Sequence, residues 1–144
     1  MWNPYVRKVK KMKVAISSTG KDIESQISPI FGRCPYFAVV NIENNKIKST
    51  EVIENPAINQ RGGAGIVAAQ TVGNTEAKAA ISLAFGPRAF AALQQLEIEI
   101  YEGVGGTVKD NIEKFIRGEL KKAQIRTAGF GFRRGFGRRG RWNE

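Results

Sequence analysis

Histidine is absent from this sequence of 144 residues, and cysteine occurs once. Histidine is the side chain most used for proton transfer near neutral pH and the commonest protein ligand of transition metals. Its absence excludes Ser-His-Asp and Cys-His catalysis and the zinc deaminases. One cysteine forms no internal disulfide, which excludes a small disulfide-stapled secreted scaffold and favours a reducing cytoplasm. One thiol also cannot by itself hold zinc or an iron-sulfur cluster, since these take about four ligands.

Long apolar runs are also missing. No stretch approaches the ~18 apolar residues of a membrane span, and residues 1–13 lack the apolar segment of a secretory signal. We therefore expect a cytoplasmic protein that does not associate with membranes.

Acidic residues are scarce at both ends of the chain. The formal net charge is +10, from 23 Lys and Arg against 13 Asp and Glu. Residues 1–13 carry five basic side chains and no acid, and residues 126–144 carry six against one. In the stretch between them, positive and negative charges cancel. We expect a basic extension over residues 1–12, an α/β domain over residues 13–122 and a basic tail over residues 123–144.

Short apolar runs alternate with helical patterns in the balanced region. Asn44 and Asn45 tolerate the backbone of a two-residue hairpin turn between two of these runs. Apolar periodicity predicts a mixed sheet of five strands, at residues 13–18, 36–43, 46–54, 78–85 and 98–102.

Three helices are predicted between and after the last strands. The first follows Gly63 and is expected to bury Ile66, and the second begins at Pro87. The third follows Thr107, which with Asp110 resembles a capping pair. The resulting order is βββαβαβα, an α/β fold.

The predicted order places five loops at one edge of the sheet, beyond the carboxyl ends of its strands, where ligands of open α/β sheets bind. Two of these loops contain the sequences GGAG (62–65) and GVGG (103–106), each before a helix whose free N–H groups suit an anion. The alternative is that these glycines only permit tight turns. The candidate residues for binding an anion or cluster are Ser17, Ser18, Gly32, Arg33, Cys34, Arg61, Gly62, Gly63, Gly65, Gly86, Arg88, Gly105, Gly106 and Thr107.

Cys34 lies in the loop that enters the second strand, beside Arg33. One interpretation is an accessible thiolate whose pKa the neighbouring guanidinium lowers, which makes Cys34 the candidate metal ligand. The other is a small buried apolar side chain, a common environment of free cysteine.

The tail has a composition of its own. Residues 127–144 include five Gly, five Arg, three Phe and one Trp with no apolar period, which predicts disorder. Guanidiniums contact phosphates and aromatic rings stack on bases, so RNA or another single strand is a predicted partner. The alternatives are weak binding of any polyanion and a tail folded over the cleft to clamp an anionic cluster. The candidate residues are Arg133, Arg134, Phe136, Arg138, Arg139, Arg141 and Trp142.

Six motifs follow one another along residues 31–120: FGRCPYF, ENP, GGAGIVAAQ, FGPRAFAAL, IEIYEGVGGTV and FIRGEL. In order and spacing they resemble the dinitrogenase iron-molybdenum cofactor biosynthesis family, over about residues 13–122. The resemblance implies a ribonuclease H-like fold and a small non-catalytic carrier of an anionic iron-sulfur or molybdenum-containing cluster, or a binder of another small anion. It does not imply a role in nitrogen fixation itself.

The sequence departs from that family where metal ligands are expected. Relatives often have His just before the FGR motif, where Ile30 stands, and a metal-binding residue before GG, where Gln60 and Arg61 stand. Cluster binding therefore rests on Cys34, arginines and helix N-terminal amides. A ribonuclease H-like nuclease needs clustered carboxylates on its sheet to hold two metals, and the first strand has none. We predict no catalysis.

Overall fold

The computed structural model describes residues 11–123 as a sheet with helices on both faces. The strands are β1 (Lys11–Ser18), β2 (Tyr36–Glu43), β3 (Lys46–Glu54), β4 (Ala79–Ser82), β5 (Glu99–Glu102) and β6 (Lys121–Lys122). The helices are α1 (Ala64–Asn74), α2 (Pro87–Gln95) and α3 (Val108–Ile116), and a 3-10 turn spans Phe31–Arg33. The longest helix between residues 11 and 123 has 11 residues, too few to span a bilayer. The predictions for residues 1–10 and for the tail from residue 124 lie outside the described residues.

The strand order is β3-β2-β1-β4-β5-β6. β1 is parallel to β4, which is parallel to β5, and β1 pairs antiparallel with β2, which pairs antiparallel with β3. Strands β1, β3, β4 and β5 therefore end at one edge of the sheet, called here the carboxyl edge, and begin at the amino edge. This confirms that the loops following these strands share an edge.

Two cores lie on opposite faces of the sheet, because successive side chains of a strand alternate between faces. On one face, Val14 and Ile16 of β1 pack with Ile112 and Phe115 of α3. On the other, Ala15 packs in a cluster that includes residues of α1, α2 and the Phe31–Arg33 turn. The helix predicted after Thr107 thus packs one face against the sheet.

The local predictions hold best in the hairpin and at two helix starts. Asn44 and Asn45 have φ angles of 53° and 66° in the turn between β2 and β3. Pro87 is the first residue of α2, and Thr107 with Asp110 forms a complete capping box at α3.

Four predictions need correction. The sheet has six strands and not five, because Lys121 and Lys122 pair with the edge strand β5, and two charged residues carry no apolar pattern. β1 begins at Lys11, and Met12 is buried in the core. β4 ends at Ser82, three residues before the predicted end of this strand. Ile66 is 38% exposed, because the buried face of α1 is formed by Ala64, Ala68, Ala69 and Val72.

Candidate anion site at the carboxyl edge

Three segments meet closely at the carboxyl edge: the Phe31–Arg33 turn and the first turns of α1 and α2. A Cβ on Gly32 would lie 3.2 Å from the backbone N and Cα of Gly65. A Cβ on Gly65 would lie 3.1 Å from the backbone N of Ala89 in α2. These two glycines serve close packing, and the result is that α1 and α2 begin side by side.

The starts of α1 and α2 are both uncapped. Gly63 and Gly86 occupy the N-cap positions, and neither offers a side-chain acceptor to the first N–H groups. Neither helix has an acidic residue in its first turn. No described atom lies within 4 Å of where a Cβ would stand on Gly62, Gly63 or Gly86. The free N–H groups and the positive end of each helix dipole therefore remain available to an external acceptor.

Three exposed arginines surround these helix starts. Arg33 ends the 3-10 turn, Arg61 precedes α1, and Arg88 is the second residue of α2. Arg33 Nη1 donates a hydrogen bond of 2.6 Å to the Gln60 carbonyl, which joins the turn to the loop before α1. Arg61 and Arg88 form no ion pair with a carboxylate of residues 11–123. This side of the edge therefore presents guanidiniums together with helix N-termini.

Asn55 holds the FGRC loop in place, a role the sequence analysis did not assign. Its side chain is buried, and Nδ2 donates to the carbonyls of Cys34 at 2.8 Å and Gly32 at 3.3 Å. Its Oδ1 accepts from the Ala57 N–H at 3.0 Å. An Asn between a strand and a proline was the available signal, since amide side chains at such positions bond to nearby backbone.

Cys34 is a buried side chain and not an exposed thiolate. It has no exposed surface, and its Sγ donates to the Phe31 carbonyl at 3.2 Å. Burial raises the pKa of this thiol to about 12. The interpretation with a lowered pKa is therefore wrong, because desolvation of the thiolate outweighs any attraction to Arg33. Metal ligation by Cys34 stays a prediction, and both burial and the raised pKa count against it.

The start of α3 differs from the starts of α1 and α2. Asp110 N–H donates to Thr107 Oγ1, and Asp110 Oδ2 accepts from the Thr107 N–H. Asn111, buried beneath, accepts from the N–H of Val104 and donates to the carbonyls of Val104 and Thr107. The carboxylate of Asp110 therefore already provides the negative charge that an external anion would bring to this helix start. The predicted anion contacts of Gly105, Gly106 and Thr107 thus find no support here.

Ser17 and Ser18 are fully buried, with internal partners. Ser17 Oγ bonds to Ser82 Oγ at 2.9 Å and to the Ser28 carbonyl at 3.0 Å, which ties β1, β4 and the loop after β1 together. Ser18 Oγ donates to the Gly20 carbonyl. Both serines shape the loops, and we leave them out of the proposed anion site. Nothing in the sequence marked Ser28 and Ser82 as their partners.

Metal ligands are sparse throughout the described part of the chain. No group of three or more His, Cys, Asp or Glu side chains within residues 11–123 is placed to hold a metal ion. The donors at the carboxyl edge are N–H groups and guanidiniums, which bind the anionic outer atoms of a ligand and not its metal.

One known protein family matches most of the chain. Residues 12–118 match the family described as dinitrogenase iron-molybdenum cofactor. An uncharacterised protein of Methanocaldococcus jannaschii, MJ0580, is 37% identical over 117 residues, which are 81% of this chain and 96% of the relative.

Two solved structures share the fold. The apo form of the orange protein from Desulfovibrio gigas is 29% identical with a TM-score of 0.72, over 78% of this chain and 92% of that one. A Thermotoga protein provisionally assigned to NifB, TM1290, is 30% identical with a TM-score of 0.67, over 80% of this chain and 97% of that one.

Proposed function

Because this chain belongs to the dinitrogenase iron-molybdenum cofactor family, we propose that it carries an anionic metal-sulfur cluster at the starts of α1 and α2. The observation that supports this best is the pair of adjacent, uncapped helix N-termini. Each offers several N–H donors and a partial positive charge, and Gly62, Gly63 and Gly86 leave room for a ligand to approach the backbone.

The arginines supply the rest of the binding energy. Arg33, Arg61 and Arg88 form charge-assisted hydrogen bonds to the outer sulfur or oxygen atoms of the cluster, which are stronger than neutral ones. With no protein atom bonded to the metal, the cluster leaves without any coordination bond being broken. Such reversible binding suits a cytoplasmic carrier and requires no catalysis. The cargo class is an iron-sulfur or molybdenum-containing cluster, and another small anion is the alternative occupant.

The test uses tetrathiomolybdate, a coloured anion of this class. Purified protein is incubated with it anaerobically and passed through gel filtration, and we expect visible absorption to elute with the protein. The double variant Arg61→Gln and Arg88→Gln should retain much less colour. The double variant Lys109→Gln and Lys114→Gln removes the same charge from α3 and should retain as much as the unaltered chain. Absence of colour from all three proteins rejects the proposal.

A second candidate function is binding of RNA or another single strand through the tail. Its support is the composition of residues 127–144, where arginines alternate with Phe, Trp and Gly. About six basic contacts predict a steep fall of affinity with salt, at roughly −0.7 per contact in the log-log slope. Deletion of residues 126–144 should abolish RNA binding at moderate salt. If the same deletion also lowers tetrathiomolybdate retention, the tail acts as a clamp over the cluster.

A further inference from the structure

Opposite charges lie on the two sides of the carboxyl edge. α1 and α2 cover one face of the sheet and α3 covers the other, so the edge has an α1/α2 side and an α3 side. The α1/α2 side carries the exposed Arg33, Arg61 and Arg88. Glu102, at the end of β5, also belongs to this side, because its neighbour Tyr101 packs in the core beneath α3 and side chains alternate along a strand. The net charge of the α1/α2 side is therefore +2.

The α3 side has the opposite charge. The loop after β1 lies against the start of α3, since the Ser25 carbonyl accepts the Val108 N–H. Glu54 ends β3 on this side, because Ile53 beside it packs on the opposite face. The exposed charged residues of the α3 side are Lys21, Asp22, Glu24, Glu54, Lys109 and Asp110. Four carboxylates against two lysines give this side a net charge of −2.

These charges remain available to another molecule. None of them takes part in an ion pair within residues 11–123, where the ion pairs lie away from the carboxyl edge. Lys21 Nζ lies 5.7 Å from the centre of the Tyr36 ring. Asp22 and Asp110 accept hydrogen bonds from N–H groups of their own segments. These contacts leave the charge of each group in place.

Exposed apolar side chains accompany the charges. Five large apolar side chains of the described residues are exposed, and four of them lie at the carboxyl edge. Ile30 is 49% exposed and forms a β-bridge with Ala84, just beyond the end of β4. Ile58 and Ile66 lie on the α1/α2 side, and Val104 lies in the loop before α3. An exposed apolar surface bordered by charged groups is typical of a contact between proteins.

The placement of opposite charges on the two sides favours a second copy of this chain as the partner. Two carboxyl edges can meet about a two-fold axis that runs across the strands. Rotation about this axis exchanges the faces of the sheet, so the α1/α2 side of each copy lies over the α3 side of the other. The contact is closed, because the same surface serves both copies. A nucleic acid or an anionic membrane would instead meet the four carboxylates of the α3 side, which repel it.

We propose that two copies of this chain associate through their carboxyl edges, with the α1/α2 side of each against the α3 side of the other. The arginines of one copy face the carboxylates of the second copy, and the exposed isoleucines pack between them. The dimer brings negative charge to the uncapped starts of α1 and α2 and therefore competes with an external anion. The contact between copies stands without the cluster hypothesis, and only this competition rests on the proposed function.

The experiment measures the dissociation constant of the full chain, free of nucleic acid, by sedimentation velocity at about 0.15 M salt. Arg61→Glu and Arg88→Glu make both sides of the edge acidic, and Glu24→Lys and Glu54→Lys make both sides basic. Each double variant alone should raise the dissociation constant by about tenfold or more, since like charges then face each other. An equimolar mixture of the acidic and the basic variant should form a heterodimer, because opposite charges face each other again.

A matched control changes the same number of charges at the opposite edge. Lys46 begins β3 and Lys78 precedes β4, and both are exposed at the amino edge. Lys46→Glu and Lys78→Glu should leave the dissociation constant of the dimer unchanged. Circular dichroism checks that every variant folds.

The proposal is overturned if the unaltered chain is monomeric at every concentration measured. It is also overturned if either charge variant dimerises alone as tightly as the unaltered chain, if their mixture contains no heterodimer, or if the amino-edge control weakens the dimer equally. Tetrathiomolybdate should shift the unaltered chain towards the monomer. Colour that elutes with an undiminished dimer would place the contact away from the carboxyl edge and overturn the proposal. Colour in none of the proteins rejects the proposed function, while sedimentation without the anion still decides on the dimer.

Discussion

The starts of α1 and α2 and the start of α3 lie at the same edge of the sheet, and α1 and α3 each follow a glycine-rich loop. At α3 the chain satisfies its own N–H groups, through Thr107 and the carboxylate of Asp110. At α1 and α2 the N-cap residues are glycines, and three arginines stand nearby. The loops GGAG and GVGG thus have similar glycine content but differ in chemistry. Asp110 already neutralises the start of α3, whereas the starts of α1 and α2 have no carboxylate and remain open to an anion.

This difference also separates two roles of glycine. Gly32 and Gly65 allow backbone segments to touch, where a Cβ would lie within about 3.2 Å of a neighbouring backbone atom. Gly62, Gly63 and Gly86 have no described atom within 4 Å of a Cβ position. Open space alone does not mark a site, since Gly105 beside α3 is equally open and Gly63, with φ of 73°, needs glycine for its backbone. The proposed binding surface is where open glycines coincide with uncapped helix starts, and Gly32 and Gly65 support it.

The largest expected loss of stability comes from removing Asn55 or Asn111. These buried amide side chains hold the FGRC loop beside α1 and the loop before α3, respectively. Asn55→Ala removes the side-chain partner of two carbonyls and one N–H. Asn111→Ala removes the partner of the Val104 N–H and carbonyl, while the Thr107 carbonyl keeps its bond from the backbone N–H of residue 111. Each change should lower the free energy of unfolding by roughly 3 kcal/mol in urea denaturation. Only Asn55→Ala should lower tetrathiomolybdate retention. Equal losses of retention would show that the two loops do not differ in function.

The next effect is a pH dependence of the free energy of unfolding. It arises from Cys34, which is buried on the face of the sheet that α1 and α2 cover. Its pKa is about 12 in the folded chain and about 9 when unfolded, so the protonated form is favoured by folding. The stabilisation is complete below pH 9 and falls by about 1.4 kcal/mol per pH unit between pH 9 and 12. Because lysines and tyrosines ordinarily titrate over the same pH range, the contribution of Cys34 is measured as the extra decline of the unaltered chain relative to Cys34→Ala at increasing pH.

Thiol labelling checks the same point by a different route. At pH 8 the thiolate fraction of Cys34 should be about a thousandfold lower in the folded than in the unfolded chain, so iodoacetamide should react slowly until denaturant is added. Rapid labelling of the native protein would instead support the accessible thiolate.

A smaller effect is expected at the capping box. Thr107→Ala removes the acceptor of the Asp110 N–H and should cost about 1 kcal/mol of stability. Since Asp110 keeps its negative charge at the start of α3, tetrathiomolybdate retention should not change. A gain or loss of retention would contradict the assignment of α3 to a purely structural role.

Features encoded by neighbouring residues were predictable from the sequence. The Asn44 and Asn45 turn, Pro87 at a helix start and the Thr107 and Asp110 pair each depend on a few adjacent positions. The parallel directions of β1, β4 and β5 followed from the element order, and these directions indicated the edge where the site is proposed. The ribonuclease H-like classification stays a prediction.

Features that depend on distant contacts were not predictable. Ser17 meets Ser82 across 65 positions, and Asn55 meets Cys34 across 21. The apolar periodicity of a sequence gives no information about such pairs. Ser17 was therefore predicted to contact the ligand, and Cys34 was left with two interpretations. The sequence did contain one sign of the difference between the two loops. The helix after GVGG has an acid, Asp110, in its first turn, and the helix after GGAG has none.

The most direct test converts the start of α2 into one like that of α3. Gly86 has the extended backbone of an ordinary N-cap, with φ of −72°, and its Cβ position is open. In Gly86→Asp, the new carboxylate caps the helix and competes with any external anion, while stability changes by only a few tenths of a kcal/mol. Gly105→Asp adds the same charge beside α3, also into open space. We predict that gel filtration after tetrathiomolybdate treatment shows colour lost from Gly86→Asp and kept by Gly105→Asp. Equal colour in the two variants would contradict a site at the uncapped helix starts.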